Sequence, residues 1–267
     1  MENSKIEWTA TQKPDGTWEP GYTFNPWIGC AHISPGCANC YAETLMDKRY
    51  HRVKWGKNGT RSRTSETYWK QPHKWNRKAA KFGVTKTVFC ASLADVFEDR
   101  DDLIDWRLDL FDTVIDKTPN LTWLLLTKRV DVAAKFFQFR QAIPNVWLGH
   151  SICTQHEYDV VIPKLAKLRK KVGGIFLSCE PLLEPLDLGD SPANWIIAGG
   201  ESGPGARPCD VDWIRSIRDQ CKTADIPVFI KQLGSKPVGV PKLRSAKGGD
   251  IHEWPDDLRV REFPEFG

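Results

Sequence analysis

A repeated pattern constrains this chain more than any single residue does. Six short runs of apolar and β-branched residues each give way to polar or glycine-rich residues: TVFCASLADVF (87–97), LTWLLLTKR (121–129), VWLGHSIC (146–153), GIFLSCEPLL (174–183), WIIAGGESG (195–203) and PVFIKQLG (227–234). Runs that stay apolar without alternation predict strands buried on both faces. Between them, DDLIDWRLDLFDTVIDK (101–117), EYDVVIPKLAKLRKK (157–171) and DVDWIRSIRDQCKTA (210–224) space their apolar residues as helices do. Strands alternating with helices predict βαβ units and a parallel sheet. With YTFNPWIG (22–29) as the first strand, the expectation is an α/β fold of six or seven parallel strands. Such strands form either an open doubly wound sheet or a partial or full (β/α) barrel.

No linker divides the 267 residues, so a single domain over 1–267 is expected. Residues 10–22 read as an insertion ahead of the first strand, and residues 44–86 as an elaborated crossover to the second. The Gly- and Pro-rich residues 235–267 read as a tail that wraps the surface.

Both architectures carry their functional groups at the carboxyl ends of the strands. Cys30, Asp95, Lys128, His150, Glu180 and Glu201 all lie just past an apolar run. One or two such residues would be ordinary helix caps; six converging ends point to a site.

Three of the eight cysteines, Cys30, Cys37 and Cys40, fall within NPWIGCAHISPGCANCYAE (25–43). A chain of this size without an export signal has no need of disulfide staples, so reduced thiols are expected. Structural zinc needs four ligands, and His32 is the candidate to complete a Cys3His set. A zinc deaminase is excluded, because its H-x-E signature occurs nowhere in the chain. The other use of three thiolates is a [4Fe–4S] cluster, normally held by four cysteines, with one iron left open. In radical enzymes of that kind, S-adenosylmethionine (SAM) chelates the open iron. Unliganded thiols remain the third alternative.

Charge is unevenly placed. Residues 47–86 hold thirteen Lys/Arg against two acids, a surplus of +11 that leaves −7 for the rest of a chain whose total is +4. Tyr50, Trp55, Tyr68, Trp69 and Trp75 are interleaved with these cations. Phosphate-neutralising cations and stacking aromatics are what nucleic-acid binding uses. Lys70, Lys74, Arg77 and Lys78 are the candidate contacts; the competing expectation is a solvated crossover whose aromatics pack on the barrel.

The chain resembles the phage Gp37/Gp68 family, grouped as radical-SAM-like. The resemblance covers nearly the whole chain through IEWT (6–9), the cysteine loop, FCASLADVFED (89–99), LLLTKR (124–129), NVWLGHSI (145–152), FLSCEPLL (176–183), WIIAGGESGPGARP (195–208) and FIKQLG (229–234). It is also distantly similar to spore photoproduct lyase-type radical SAM enzymes, through a cysteine loop ending in C-Y-A and a Thr-Lys pair after the third strand. Two departures stand out. The spacing is C-x6-C-x2-C where the radical SAM loop has C-x3-C-x2-C, and Asn39 stands where an aromatic residue usually precedes the last cysteine.

The resemblance implies a barrel of the TIM-like, radical SAM kind, with Cys30, Cys37 and Cys40 on iron. It implies SAM contacts from Ser92 and Asp95 at the amino group, Lys128 at the carboxylate, and His150 and Ser151 at the ribose. Gly199, Gly200 and Glu201 would admit and bond the cofactor. Glu180 and Lys231 would face substrate or form an ion pair, and Arg207 would bind phosphate or pair with Glu201. An external electron donor is implied, and a three-Cys-motif partner protein is a candidate. The N-terminal MENSKIEWTA lacks the order of a signal peptide, and no apolar run reaches membrane-spanning length. The expected place is the cytoplasm, the host's for a phage-encoded protein. A non-catalytic Fe–S or zinc protein that binds nucleic acid is the alternative to an enzyme.

Overall fold

Seven strands of the computed structural model form one all-parallel sheet: β1 (Tyr22–Thr23), β2 (Lys86–Cys90), β3 (Leu121–Thr127), β4 (Ile143–Ser151), β5 (Val172–Cys179), β6 (Trp195–Gly199) and β7 (Val228–Gln232). The structure describes residues 1–13 and 15–266; Pro14, in the predicted insertion, and Gly267, at the end of the predicted tail, lie outside them. The strands stand across the sheet in the order they occur in the chain, each paired with the next. The sheet curls into a half-barrel, which is the partial (β/α) barrel the strand pattern predicts.

The connections follow from local chemistry. Helix α1 (Gln71–Phe82) joins β1 to β2 and buries Pro72, Trp75 and Ala79. Helix α2 (Ile104–Asp109) sits inside a longer helical run that continues as a π turn over Leu110–Ile115. Helix α3 (Val130–Gln138) follows β3. Helix α4 (Gln155–Leu168) starts at Thr154, whose side chain accepts from the Glu157 N–H, and α5 (Val211–Thr223) at Asp210, which accepts from the Asp212 N–H. Between β5 and β6 the chain forms no helix; Pro181, Pro185 and Pro192 interrupt that stretch.

Side chains alternate across the sheet. On the convex face Val88, Trp123, Leu125, Leu148, Ile175 and Ile196 belong to the core shared with the helices. On the concave face Phe89, Leu124, Trp147, Phe176, Trp195, Ile197 and Phe229 form a second cluster with Trp8. Trp8 meets Phe89 edge-on at 4.7 Å between centroids. The tail does more than wrap the surface: Phe266 stands 4.9 Å from Trp147 and Phe263 5.9 Å from Trp195. Aromatic rings therefore fill the interior at mid-strand. The same concave parity, two to four residues further along, brings Lys128, Ser151, Glu180 and Lys231 to the carboxyl-end mouth.

Candidate functional site

The cysteine loop crosses this mouth. After β1 the chain pairs Trp27–Ile28 antiparallel with Ser62–Arg63 and then reaches Cys30. Ser34 caps a single 3-10 turn, Pro35–Cys37, by accepting from the Gly36 N–H at 3.1 Å. Cys40 precedes the helical turn Tyr41–Glu43. All three thiols are half-buried. The loop rests on a fourth cysteine, since a Cβ added to Gly36 would stand 2.2 Å from the Cys153 sulfur. Only glycine permits that approach.

Two arginines hold the loop from opposite sides. Arg129, at the end of β3, donates from Nη1 to Asp95 Oδ2 (2.8 Å) and to Cys30 Sγ (3.5 Å), and from Nη2 to the Ala31 carbonyl (2.9 Å). Asp95 also accepts from Thr127 Oγ1 (2.7 Å), Lys128 N–H (3.0 Å) and Phe97 N–H (2.9 Å). Burial alone would raise the Asp95 carboxyl; Arg129 and these three donors hold it below the usual carboxylate range. Across the mouth, Glu201 accepts from Arg207 Nη2 (2.6 Å), Nε (2.8 Å) and N–H (2.8 Å), and from Asn39 Nδ2 (3.0 Å). Arg207 Nη1 then donates to the Pro35 carbonyl (2.9 Å). Burial raises the Glu201 carboxyl too, but the Arg207 and Asn39 bonds outweigh it and leave it lowered.

The floor of the mouth is polar and connected. Lys128 Nζ bonds Ser151 Oγ, which donates to the Glu180 carbonyl at 3.1 Å. Lys231 Nζ reaches both Glu180 carboxylate oxygens at 2.7 Å, and Gln232 Nε2 donates to one of them at 3.1 Å. Glu180 and Lys231 thus form the ion pair that was one of their two expected roles. Ser92 faces the loop through its neighbours: Asn25 Nδ2 donates to its hydroxyl (3.1 Å), and the Tyr41 hydroxyl donates to its carbonyl (2.6 Å). Gly199 and Gly200 make room for the backbone after β7; a Cβ on Gly200 would lie 2.3 Å from the Leu233 carbonyl oxygen. His150 has convex parity and is buried. Its Nδ1 lies 3.0 Å from the Ser151 carbonyl oxygen, and its Nε2 has no partner among the described residues. Burial, with Lys128 adding to it, pushes His150 down to about 4.

The surroundings of Cys30 and Cys40 disfavour their thiolate forms. Burial pushes Cys30 up to about 12, with Asp95 adding to the shift, and also raises Cys40. A bound metal reverses that preference by ligating thiolate. His32 bonds Glu43 at 2.7 Å through Nε2. Among the described residues no three Cys, His, Asp or Glu side chains converge as a single-ion site does. A polynuclear cluster spreads its thiolates around a larger body than one ion. Three half-buried thiols on one loop, flanked by Arg129, fit such a group in donor chemistry and in charge.

The basic segment is divided between surface and core. Lys70, Lys74, Arg77 and Lys78 are exposed on or beside α1. The aromatics beside them are mostly engaged: Trp75 stacks on Tyr22 at 4.5 Å, Tyr68 stacks on Phe24 at 5.1 Å, and Trp69 is buried beneath the Arg63 guanidinium. Tyr50 remains half exposed.

Sequence reasoning picked out Cys30, Asp95, Lys128, Ser151, Glu180, Glu201 and Lys231, and the structure brings all of them to the mouth. It missed Arg129, Asn39 as a bonding residue, and Cys153. The available signal for Arg129 was its position: a second cation, next to Lys128, at the end of a buried strand. No helix of the described residues is long and apolar enough to cross a membrane.

The family described as "Protein of unknown function (DUF5131)" matches residues 3–254, and the chain belongs to that family. No curated protein and no solved structure matches.

Proposed function

We propose that this DUF5131 chain is an iron–sulfur enzyme of the radical SAM kind, with Cys30, Cys37 and Cys40 as the ligands of a [4Fe–4S] cluster. The observation that carries this reading is the loop of three thiols suspended over a polar, aromatic-floored mouth at the carboxyl ends of seven parallel strands. Held by Cys30, Cys37 and Cys40, a reduced cluster would supply the single electron that reductive cleavage of SAM requires. The protein's part is to position and shield.

Among the described residues no carboxylate pairs with the Lys128 ammonium, which supports a role for it toward the carboxylate of SAM. The Ser151 hydroxyl is bonded to that ammonium, and Ser92 is a second hydroxyl proposed to meet the ligand. Asp95 and Glu201 have their oxygens committed to Arg129 and Arg207, so their part is to hold the loop rather than the ligand. The Glu180–Lys231 pair faces the substrate side. The aromatic floor closes the interior below and limits water. Nucleic acid is the proposed substrate class, supported by the exposed cations on α1.

Anaerobic reconstitution tests the reading. The protein should take up about four irons and an equal amount of sulfide per chain. Cys30→Ala, Cys37→Ala and Cys40→Ala should each lose the iron, whereas Cys90→Ala and Cys221→Ala should keep it. SAM should change the EPR spectrum of the reduced protein, and dithionite should then yield 5′-deoxyadenosine. Stoichiometric zinc without iron would overturn the cluster; iron with a spectrum indifferent to SAM would leave a non-catalytic Fe–S protein.

A further inference from the structure

Among the described residues, Arg129 is the arginine of the mouth that bonds a cysteine sulfur. Its Nη1 lies 3.5 Å from Cys30 Sγ and 2.8 Å from Asp95 Oδ2, so a single nitrogen is shared between the thiol and a buried carboxylate. Nη2 fixes the carbonyl of the next residue, Ala31, at 2.9 Å. The guanidinium also lies 3.7 Å from Glu98, which is itself bonded by Arg61 at 2.6 and 2.7 Å. Arg129 and both carboxylates are more than nine-tenths buried as side chains. Its fork is therefore locked on three sides, and the direction in which Nη1 meets the sulfur is set by the fold.

We propose that Arg129 is a positioning and tuning residue: it orients Cys30 as a ligand and raises the reduction potential of the metal group that Cys30 holds. This rests on the cluster reading above. The physical cause has two parts. An N–H donated to a ligand sulfur draws electron density from it, and a fixed positive charge at that distance favours the state carrying one more electron. Asp95 and Glu98 offset part of the charge, so the directed hydrogen bond carries the specific share. Arg207 is the natural comparison. It is also paired with a buried carboxylate and also grips the loop, through the Pro35 carbonyl, but among the described residues it bonds no cysteine sulfur.

The experiment is a redox titration of the reconstituted full-length protein, followed by EPR, for wild type, Arg129→Met, Arg129→Lys and Arg207→Met. Loss of the donated bond and charge should make the Arg129→Met cluster harder to reduce by about tenfold in equilibrium constant, a fall of about 59 mV for one electron. Arg129→Lys should recover part of the shift, and Arg207→Met should stay within twofold of wild type. Equal shifts in Arg129→Met and Arg207→Met, or no shift in either, would overturn the proposal and leave Arg129 as scaffolding. A second measurement needs no variant. Wild-type protein labelled with 15N-arginine should show a guanidinium nitrogen coupled to the reduced cluster by pulsed EPR, and absence of that coupling would also overturn it. Wild type without iron would instead defeat the cluster reading itself, before Arg129 is reached.

Discussion

Glu201 and Arg207 form a two-toothed ion pair, 2.6 and 2.8 Å, whose free arginine nitrogen holds the Pro35 carbonyl between the first and second loop cysteines. The pair is thus a strut from the end of β6 to the cysteine loop. Glu201 is buried, so its removal strands a guanidinium and the Asn39 amide that it satisfies. Glu201→Ala should cost on the order of 2–3 kcal/mol, below the full figure for a buried pair because Arg207 is partly open to water. Urea unfolding gives the cost. Amide exchange over residues 31–40 should quicken more than exchange in β3–β5; uniform quickening would mean that the pair supports the barrel and not the loop.

His150 predicts a pH dependence of stability. Buried and neutral, it is held near 4, whereas an unfolded histidine titrates near 6.5. The unfolded chain therefore binds the extra proton first. This contribution is fully present above about pH 6.5 and is lost as pH falls from there toward 4, by about 3 kcal/mol at most. The groups around it are Lys128, Asp95 and Glu157. Urea midpoints of wild type and His150→Asn should converge between pH 7 and pH 4.5. Parallel curves would assign the acid sensitivity to carboxylates elsewhere.

The cations on α1 predict a salt dependence. If Lys70, Lys74, Arg77 and Lys78 neutralise phosphates, replacing all four by alanine should make the slope of log affinity against log salt shallower by up to about 3.6 units on duplex DNA. Because Trp69 and Trp75 are buried, their rings are not open to bases, and Tyr50→Ala is the aromatic substitution to compare. An unchanged slope, or no binding at low salt, would leave the helix as a solvated face.

The strands were legible because burial on both faces keeps most of each run apolar: Val88–Cys90 and Trp195–Gly199 are buried throughout and carry no polar side chain but a thiol. The first strand was legible in place but not in length. YTFNPWIG reads as eight residues, yet only Tyr22–Thr23 joins the sheet; Pro26 has no N–H for a ladder, and Trp27–Ile28 pairs with Ser62–Arg63 instead. At the mouth, Cys30, Lys128 and Glu180 could be read from position relative to a strand end. The partners of those residues could not. Arg129 meets Cys30 across 99 positions and Asn39 meets Glu201 across 162, and nothing local encodes either meeting. The tail misled for a related reason: its Gly and Pro content marks an exposed segment, while two phenylalanines near its end, Phe263 and Phe266, are what the barrel interior takes up.

The one-to-seven strand order has a consequence for how the molecule is made. Each strand can add to the edge left by the one before it, so a ribosome delivers the sheet in the sequence in which it assembles. The interior is not finished on that schedule. Trp8 is made early but packs against Phe89, Phe176 and Trp195, and Phe263 and Phe266 complete the same cluster from the far end of the chain. A nascent chain halted after β7 would lack two of the rings that pack into the concave cluster, and the interior of its half-barrel would stay open until Phe263 and Phe266 follow.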